Sequence, residues 1–167
     1  MYQAFGSSTP FAEPLWYSRN ENVHFTDSHR RLRNAIRDYV DTEIAPFCDK
    51  WEADGCIPDE VLQRHSALGY TAALINPRAV KQYLGEIPLP GGVSPNEWDA
   101  FHDLIATDEI ARCGSLGVLW ALGCGNAIAC PPLIELGTEE QRKTLLPSII
   151  NGTTRFCLGI TEPHGET

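Results

Sequence analysis

The chain of 167 residues has one methionine, no CxxC pair and an excess of acid over base, 22 Asp and Glu against 13 Lys and Arg. The formal net charge of -9 leaves no general field to attract nucleic acid or another polyanion, so any anionic ligand must be held by local donors. GxGxxG, P-loop, HExxH and Ser-centred elbow motifs are absent, and so is metal-ligand spacing among the histidines: His24 and His29 are five apart, while His65, His102 and His164 stand alone. Metal and hydrolytic chemistry therefore have no support in the sequence. No apolar run is read as approaching the roughly 20 residues that cross a bilayer. The first nineteen residues hold Glu13 and a single basic residue, Arg19, unlike a secretory leader or an Arg-rich transit peptide. A soluble, intracellular protein is expected, in cytoplasm or an organelle matrix, with Asn151-Gly152-Thr153 only a chance glycosylation sequon. The six cysteines, Cys48, Cys56, Cys113, Cys124, Cys130 and Cys157, are expected to be reduced packing residues.

Hydrophobic residues make up 43% of the chain, enough for one cored domain and a short overhang. Residues 1–24 lack periodicity and read as an irregular extension. From Thr26 or Asp27, Leu32, Ile36, Tyr39, Val40, Ile44 and Phe47 recur at helical spacing, predicting a helix that ends around Pro46 to Asp49, with Trp51–Gly55 as a turn. A second helix is predicted from Pro58 to Gly69. Residues 76–92 form a Pro- and Gly-rich excursion with a short helix near Val80 to Leu84. Ser94-Pro95-Asn96-Glu97 reads as a capping box opening a third helix that buries Trp98, Phe101, Ile105 and Ile110. Ser115 to Ala129 is almost free of charge and predicts a helix at the centre of the bundle. Pro131 opens a short helix, and Thr138 with Gln141 caps a last one to about Ile150. The whole reads as an all-α orthogonal bundle of about six helices over 25–152, with Arg155 to Ile160 as the first strand of a β-domain at 153–167.

Several segments together carry a family resemblance. They are Arg37-Asp38-Tyr39-Val40-Asp41-Thr42-Glu43-Ile44-Ala45-Pro46, Trp51–Gly55 with Pro58, Asp108-Glu109-Ile110-Ala111-Arg112 and Ile160-Thr161-Glu162-Pro163. In this order and spacing they resemble the acyl-CoA dehydrogenases from about Leu32 onward. The resemblance implies that the chain is part of a longer enzyme, its N-terminal helical domain plus the start of the middle β-domain. That enzyme removes hydrogen between the α and β carbons of an acyl-CoA, passes hydride to FAD, and assembles as a tetramer or dimer. It also implies that Thr161 and the backbone at Leu158 and Ile160 donate to the flavin ring, where negative charge develops on reduction. On those residues alone, a strand end with a capping Thr and a rigid Pro is the better reading, and the rest of the pattern reverses that order.

The loop departs from the family where its Gly and Ser approach the flavin pyrophosphate, because Glu166 and Thr167 stand there. Thr167 keeps a hydroxyl to offer, whereas a carboxylate repels phosphate. Glu162 is not the base, which in the family lies on a C-terminal domain, so no catalytic residue is assigned in this chain. Arg30, Arg33 and Arg37 read as a solvated helix face balanced by Asp38 and Asp41 rather than as a coenzyme A clamp. A same-fold oxidase of acyl-CoA or nitroalkane type, and a helical interaction module without catalysis, stay open beside the dehydrogenase.

Overall fold

The computed structural model describes residues 7, 9–14, 23–163 and 165, and it is helical, with no β-strand among the described residues. Thr26, in extended conformation, caps α1 (Asp27–Tyr39), which buries Leu32, Ile36 and Tyr39 at the spacing of one helical stripe. The chain does not stop there. It widens into a π turn (Val40–Ile44), tightens into a 3₁₀ turn (Ala45–Phe47) and continues as α2 (Cys48–Asp54). Pro46 sits where the wide turn gives way to the 3₁₀ turn; its missing N–H forfeits one backbone bond without ending the run. The stop comes at Gly55, left-handed with φ 75°. Trp51 to Asp54, expected as a turn, are therefore helical. Phe47, expected on the buried stripe, is 46% exposed because the wide turn shifts the phase of everything after it.

α3 (Asp59–Ala67) follows Pro58 as expected and ends at Gly69, φ 85°, where a β-carbon would also collide with the Pro88 carbonyl. α4 (Tyr70–Ala73), not foreseen from the sequence, lies immediately beyond, and α5 (Pro77–Val80) is capped by the Asn76 side chain. Beyond α5 the excursion to Gly92 contains two 3₁₀ turns, Lys81–Tyr83 and Pro90–Gly92, the second lying on the backbone of α1 at Arg31.

α6 (Ala100–Ala111) starts later than Ser94. The box at Ser94 is spent on a tight turn, with the Glu97 carboxylate accepting the Ser94 amide at 3.1 Å. Asp99 is the real cap: its Oδ1 accepts the amides of Phe101 and His102, and His102 Nδ1 accepts the Asp99 amide. Trp98 is buried just before the helix and donates to Asp103 at 2.6 Å. α7 (Leu116–Leu119), a second π turn (Trp120–Cys124) and α8 (Gly125–Leu136) form one continuous helix. It runs through Pro131 and Pro132, which were expected to open a separate helix; a proline in an existing helix forfeits one backbone bond and need not break it. α9 (Glu139–Ile150) has the predicted reciprocal box, Thr138 Oγ1 accepting the Gln141 amide and Gln141 Oε1 the Thr138 amide.

α1 packs against α6, and Leu32, Ile36, Ile105 and Ile110 on these two helices are fully buried, as are Leu146 and Ile149 of α9, which packs against α4 and α8. Each contributes on the order of 1.5–3 kcal/mol by leaving water. Cys48, Cys113 and Cys130 join this core, whereas Cys56 and Cys157 are exposed and so do not pack as expected; all six thiols are free.

Candidate functional site

Beyond α9 the chain turns at Gly152, φ 82°, and passes α8. There the Phe156 amide donates to Asn126 Oδ1 at 2.8 Å, and a β-carbon on Gly125 would lie 2.9 Å from the Phe156 carbonyl, so a small residue permits the close approach. Arg155 to Ile160, expected as a strand, joins no ladder among the described residues; a strand is defined by a partner, and none of these residues supplies one. Leu158, Ile160 and Thr161 are exposed, as is Glu162, while Thr167 and Glu166 lie outside the described residues. The sequence-predicted flavin contacts thus come together only as a short exposed stretch held at Phe156.

The α7–α8 helix is not central. Within Leu116–Leu136, 21 residues long, an 18-residue stretch has a mean hydropathy of 1.5 and one third of that stretch is buried. This run is long and apolar enough to cross a membrane by length and composition, against the expectation that none is, although it belongs to a helical bundle. Val118, Leu122, Ala129, Cys130 and Leu133 face the core. Leu116, Trp120 (58% exposed), Ile128 and Leu136 (85%) do not. The lack of charge was read as burial on all sides, when it marks a helix half covered by its own chain. Asn126, which fixes the terminal segment, was also missed; a polar residue in an apolar run was its only signal.

Two hollows flank this helix. A cavity of about 240 Å³ lies between Leu74, Asn76, Asp103, Thr107, Ala127 and Glu135. A groove of about 680 Å³ passes Cys56, Gln63, Ala121, Gly152 and Arg155. The N-terminus of α7 is held by Glu52, whose carboxylate accepts from the Ser115 hydroxyl and from the Gly117 amide at 3.1 Å, placing negative charge where the helix dipole favours it. Its neighbour Gly117 leaves room for that carboxylate.

Charged groups elsewhere are closed on one another. Arg33 and Arg37 are not a solvated face: Arg37 grips Glu109 through Nε and Nη2, the latter at 2.7 Å from Oε1, and both arginines reach Glu13 at 2.9 Å. Glu109 belongs to the Asp-Glu-Ile-Ala-Arg segment and is fully buried. Among the described residues, His29, Asp99 and His102 bring three metal-capable atoms within 4.8 Å, ligands about 70 residues apart that spacing rules overlook. All three are occupied as caps. His29 Nδ1 accepts the Thr26 amide at 3.0 Å, Nε2 donates to Asp99 Oδ1 at 3.0 Å, and His102 Nε2 meets Ser28 Oγ at 3.1 Å, with the two rings stacked 3.8 Å apart. Burial raises the Asp99 pKa, but hydrogen bonds from His29 and His102 outweigh it and hold the carboxyl at about 2. Burial pushes His102 down from its usual value. The fixed donors and aligned helix N-termini make this a junction of helix caps, with both imidazoles committed to the backbone.

Comparison with known proteins agrees with the architecture. The family described as "Acyl-CoA dehydrogenase, N-terminal domain" matches residues 26–153. "Acyl-CoA dehydrogenase AFT10-1" of Alternaria alternata is 65% identical over 160 residues, 96% of this chain and 37% of that protein. "Acyl-CoA dehydrogenase apdG" of Emericella nidulans is 31% identical over 94% of this chain and 36% of its own length. The structure of butyryl-CoA dehydrogenase from Megasphaera elsdenii superposes with a TM-score of 0.57 at 22% identity, over 85% of this chain and 34% of the other, which supports the fold. The chain spans just over a third of the length of each of these relatives.

Proposed function

Because the chain belongs to the acyl-CoA dehydrogenase family through its N-terminal domain, we propose that it forms the helical wall of a flavin-dependent acyl-CoA dehydrogenase, with Leu158, Ile160 and Thr161 at the edge of the flavin ring. One observation carries this reading. Six of the ten large apolar residues left exposed among the described residues lie on the α7–α8 helix and on Leu158 and Ile160, two stretches joined by the Asn126–Phe156 hydrogen bond. An apolar wall beside a segment of unpaired backbone is what a cleft between an acyl chain and a flat polar ring requires.

FAD, when bound, supplies what no side chain can, an acceptor for the hydride that leaves the β carbon as a base outside this chain takes the α proton, leaving an α,β-unsaturated thioester. The donor set fits the ring edge: exposed backbone amides and the Thr161 hydroxyl can point at an atom that gains negative charge. Trp120 and Ile128 would keep water from the reacting carbons and pack the acyl chain, contributing area rather than chemistry. The protein would act inside the cell, as a tetramer or dimer.

The test is Thr161→Val in a chain continued to the length of its relatives. Loss of one donor should lower the flavin reduction potential and slow reduction by substrate, a loss of order 1–3 kcal/mol, with little change in substrate binding. Unchanged potential and reduction rate in that variant would remove Thr161 from the site. Retained acyl-CoA affinity in Trp120→Glu would remove the helix wall.

A further inference from the structure

The segment before the family-matched region carries a charge that the bundle does not leave to solvent. Glu13 is 1% exposed. Its Oε1 accepts from Arg33 Nη2 and Arg37 Nη1, each at 2.9 Å, and from the Ser7 amide at 3.1 Å; its Oε2 accepts from Arg37 Nη2 at 3.3 Å and Arg112 Nη1 at 3.4 Å. Arg33 and Arg37 come from α1 and Arg112 from the end of α6, so one carboxylate bridges the two helices. Glu109 lies beneath, with Arg33 Nε 3.5 Å and Arg112 Nε 3.9 Å from its oxygens besides its grip on Arg37. Three guanidiniums thus face two carboxylates. Removing Glu13 would leave three positive groups sharing one negative partner in a mostly buried pit, a situation that costs more than the ion pairs gain when complete. Around Glu13 the chain is wound tightly, the Thr9 amide donating to Ser7 Oγ and the Ala12 amide to the Thr9 carbonyl. The carboxyl is held at about 2: burial acts to raise it, and the hydrogen bonds from Arg37 and the Ser7 amide act against that more strongly.

We propose that Arg33, Arg37 and Arg112 form a carboxylate-binding socket, that Glu13 is its tethered ligand, and that a free small carboxylate can take the place of that side chain when it is absent. Guanidinium forks match a two-oxygen anion in shape as well as charge, which is why the socket selects a carboxylate over a halide. The consequence is that the segment around Glu13 is a strap of the helical domain, although it lies upstream of residue 26, where the family match begins.

The experiment compares thermal melting of the chain with its Glu13→Ala and Glu13→Gln variants, in sodium acetate and in sodium chloride of equal ionic strength. Both variants should melt roughly 5–15 °C below the parent in chloride. Acetate should recover at least half of that loss in Glu13→Ala, which leaves room for it, and little in Glu13→Gln, whose amide still fills the socket. Limited proteolysis upstream of Asp27 should be several-fold faster in both variants. Melting of either variant at the parent temperature, or an equal response of Glu13→Ala to acetate and chloride, overturns the proposal. A Glu13→Ala chain that folds in neither salt overturns the socket as well, since no free carboxylate would then be able to replace the side chain.

Discussion

The N-terminal ends of α1 and α6, with the arginines that bridge those helices, differ in kind from the outer face of the α7–α8 helix. In the first region the chemically demanding groups meet complements within the chain: Asp99 serves the His29 imidazole and the His102 amide, Glu109 and Glu13 serve three guanidiniums, and Thr26 meets His29. In the second, Leu116, Trp120, Ile128 and Leu136 are exposed, with nothing covering them among the described residues. Buried polar groups are tolerated only when satisfied, whereas an exposed apolar row is tolerated when something else covers it. The first region is closed on itself, and the second leaves apolar area open among the described residues.

Removing a charge from the closed region should have the largest effect. Glu109→Gln leaves the three guanidiniums of Arg33, Arg37 and Arg112 sharing the single carboxylate of Glu13, and a loss of about 3–5 kcal/mol is expected in denaturant unfolding. A loss below about 1 kcal/mol would mean that water enters the cluster and the contrast with the apolar face is overdrawn.

Next comes acid. His65 is fully buried against Tyr39, whose hydroxyl lies 3.1 Å from Nδ1, and burial pushes its pKa down to about 3. A folded pKa below the unfolded value near 6.5 means that the unfolded chain binds the proton first. Stability is therefore full above that value and falls as pH drops from about 6.5 toward 3, by up to about 1.4 kcal/mol per pH unit. Chemical denaturation at a series of pH values should show that slope, and His65→Phe should flatten it while the acidic clusters remain.

A cap is worth less. Thr138→Ala removes the acceptor for the Gln141 amide and should cost about 1 kcal/mol, read from the same unfolding curves.

The smallest change in stability is expected on the open apolar face. Trp120→Ser should alter unfolding by less than about 0.5 kcal/mol, yet reduce self-association of the chain measured by light scattering. A strongly destabilised Trp120→Ser would place that ring in the core and erase the distinction between the two regions.

Much of the fold was legible because its signals are local. The stripe Leu32, Ile36, Tyr39 sits on one helix face, and Thr138 with Gln141 and Gly69 mark ends that need no tertiary knowledge. The later start of α6 was hidden because Ser94 and Asp99 both offer caps, and the actual box uses His102 where a Glu or Gln is the usual cue. The joining of α1 to α2 was hidden by a π turn, which periodicity of 3.6 cannot register. The charged cluster was out of reach for another reason: Glu13 and Arg112 are separated by 99 residues, and nothing near either one announces the other. Of the candidate site, Leu158, Ile160 and Thr161 came from resemblance alone, and the structure adds the anchor at Asn126.

The π turn at Trp120–Cys124 gives the α7–α8 helix a tolerance of length that its composition does not disclose. Each residue of an α-helix advances the side chains by about 100°, and a π turn holds one residue more than an α turn. Deleting a single residue there would close the wide turn to an ordinary one and leave Gly125–Leu136 facing as before, with Cys130 and Leu133 still in the core and Asn126 still opposite the Phe156 amide. Deleting one residue from an ordinary turn of α8 would instead rotate everything beyond it by about 100° and carry those side chains off their partners. The wide turn is thus the place where this helix can lose a codon without re-aiming its second half.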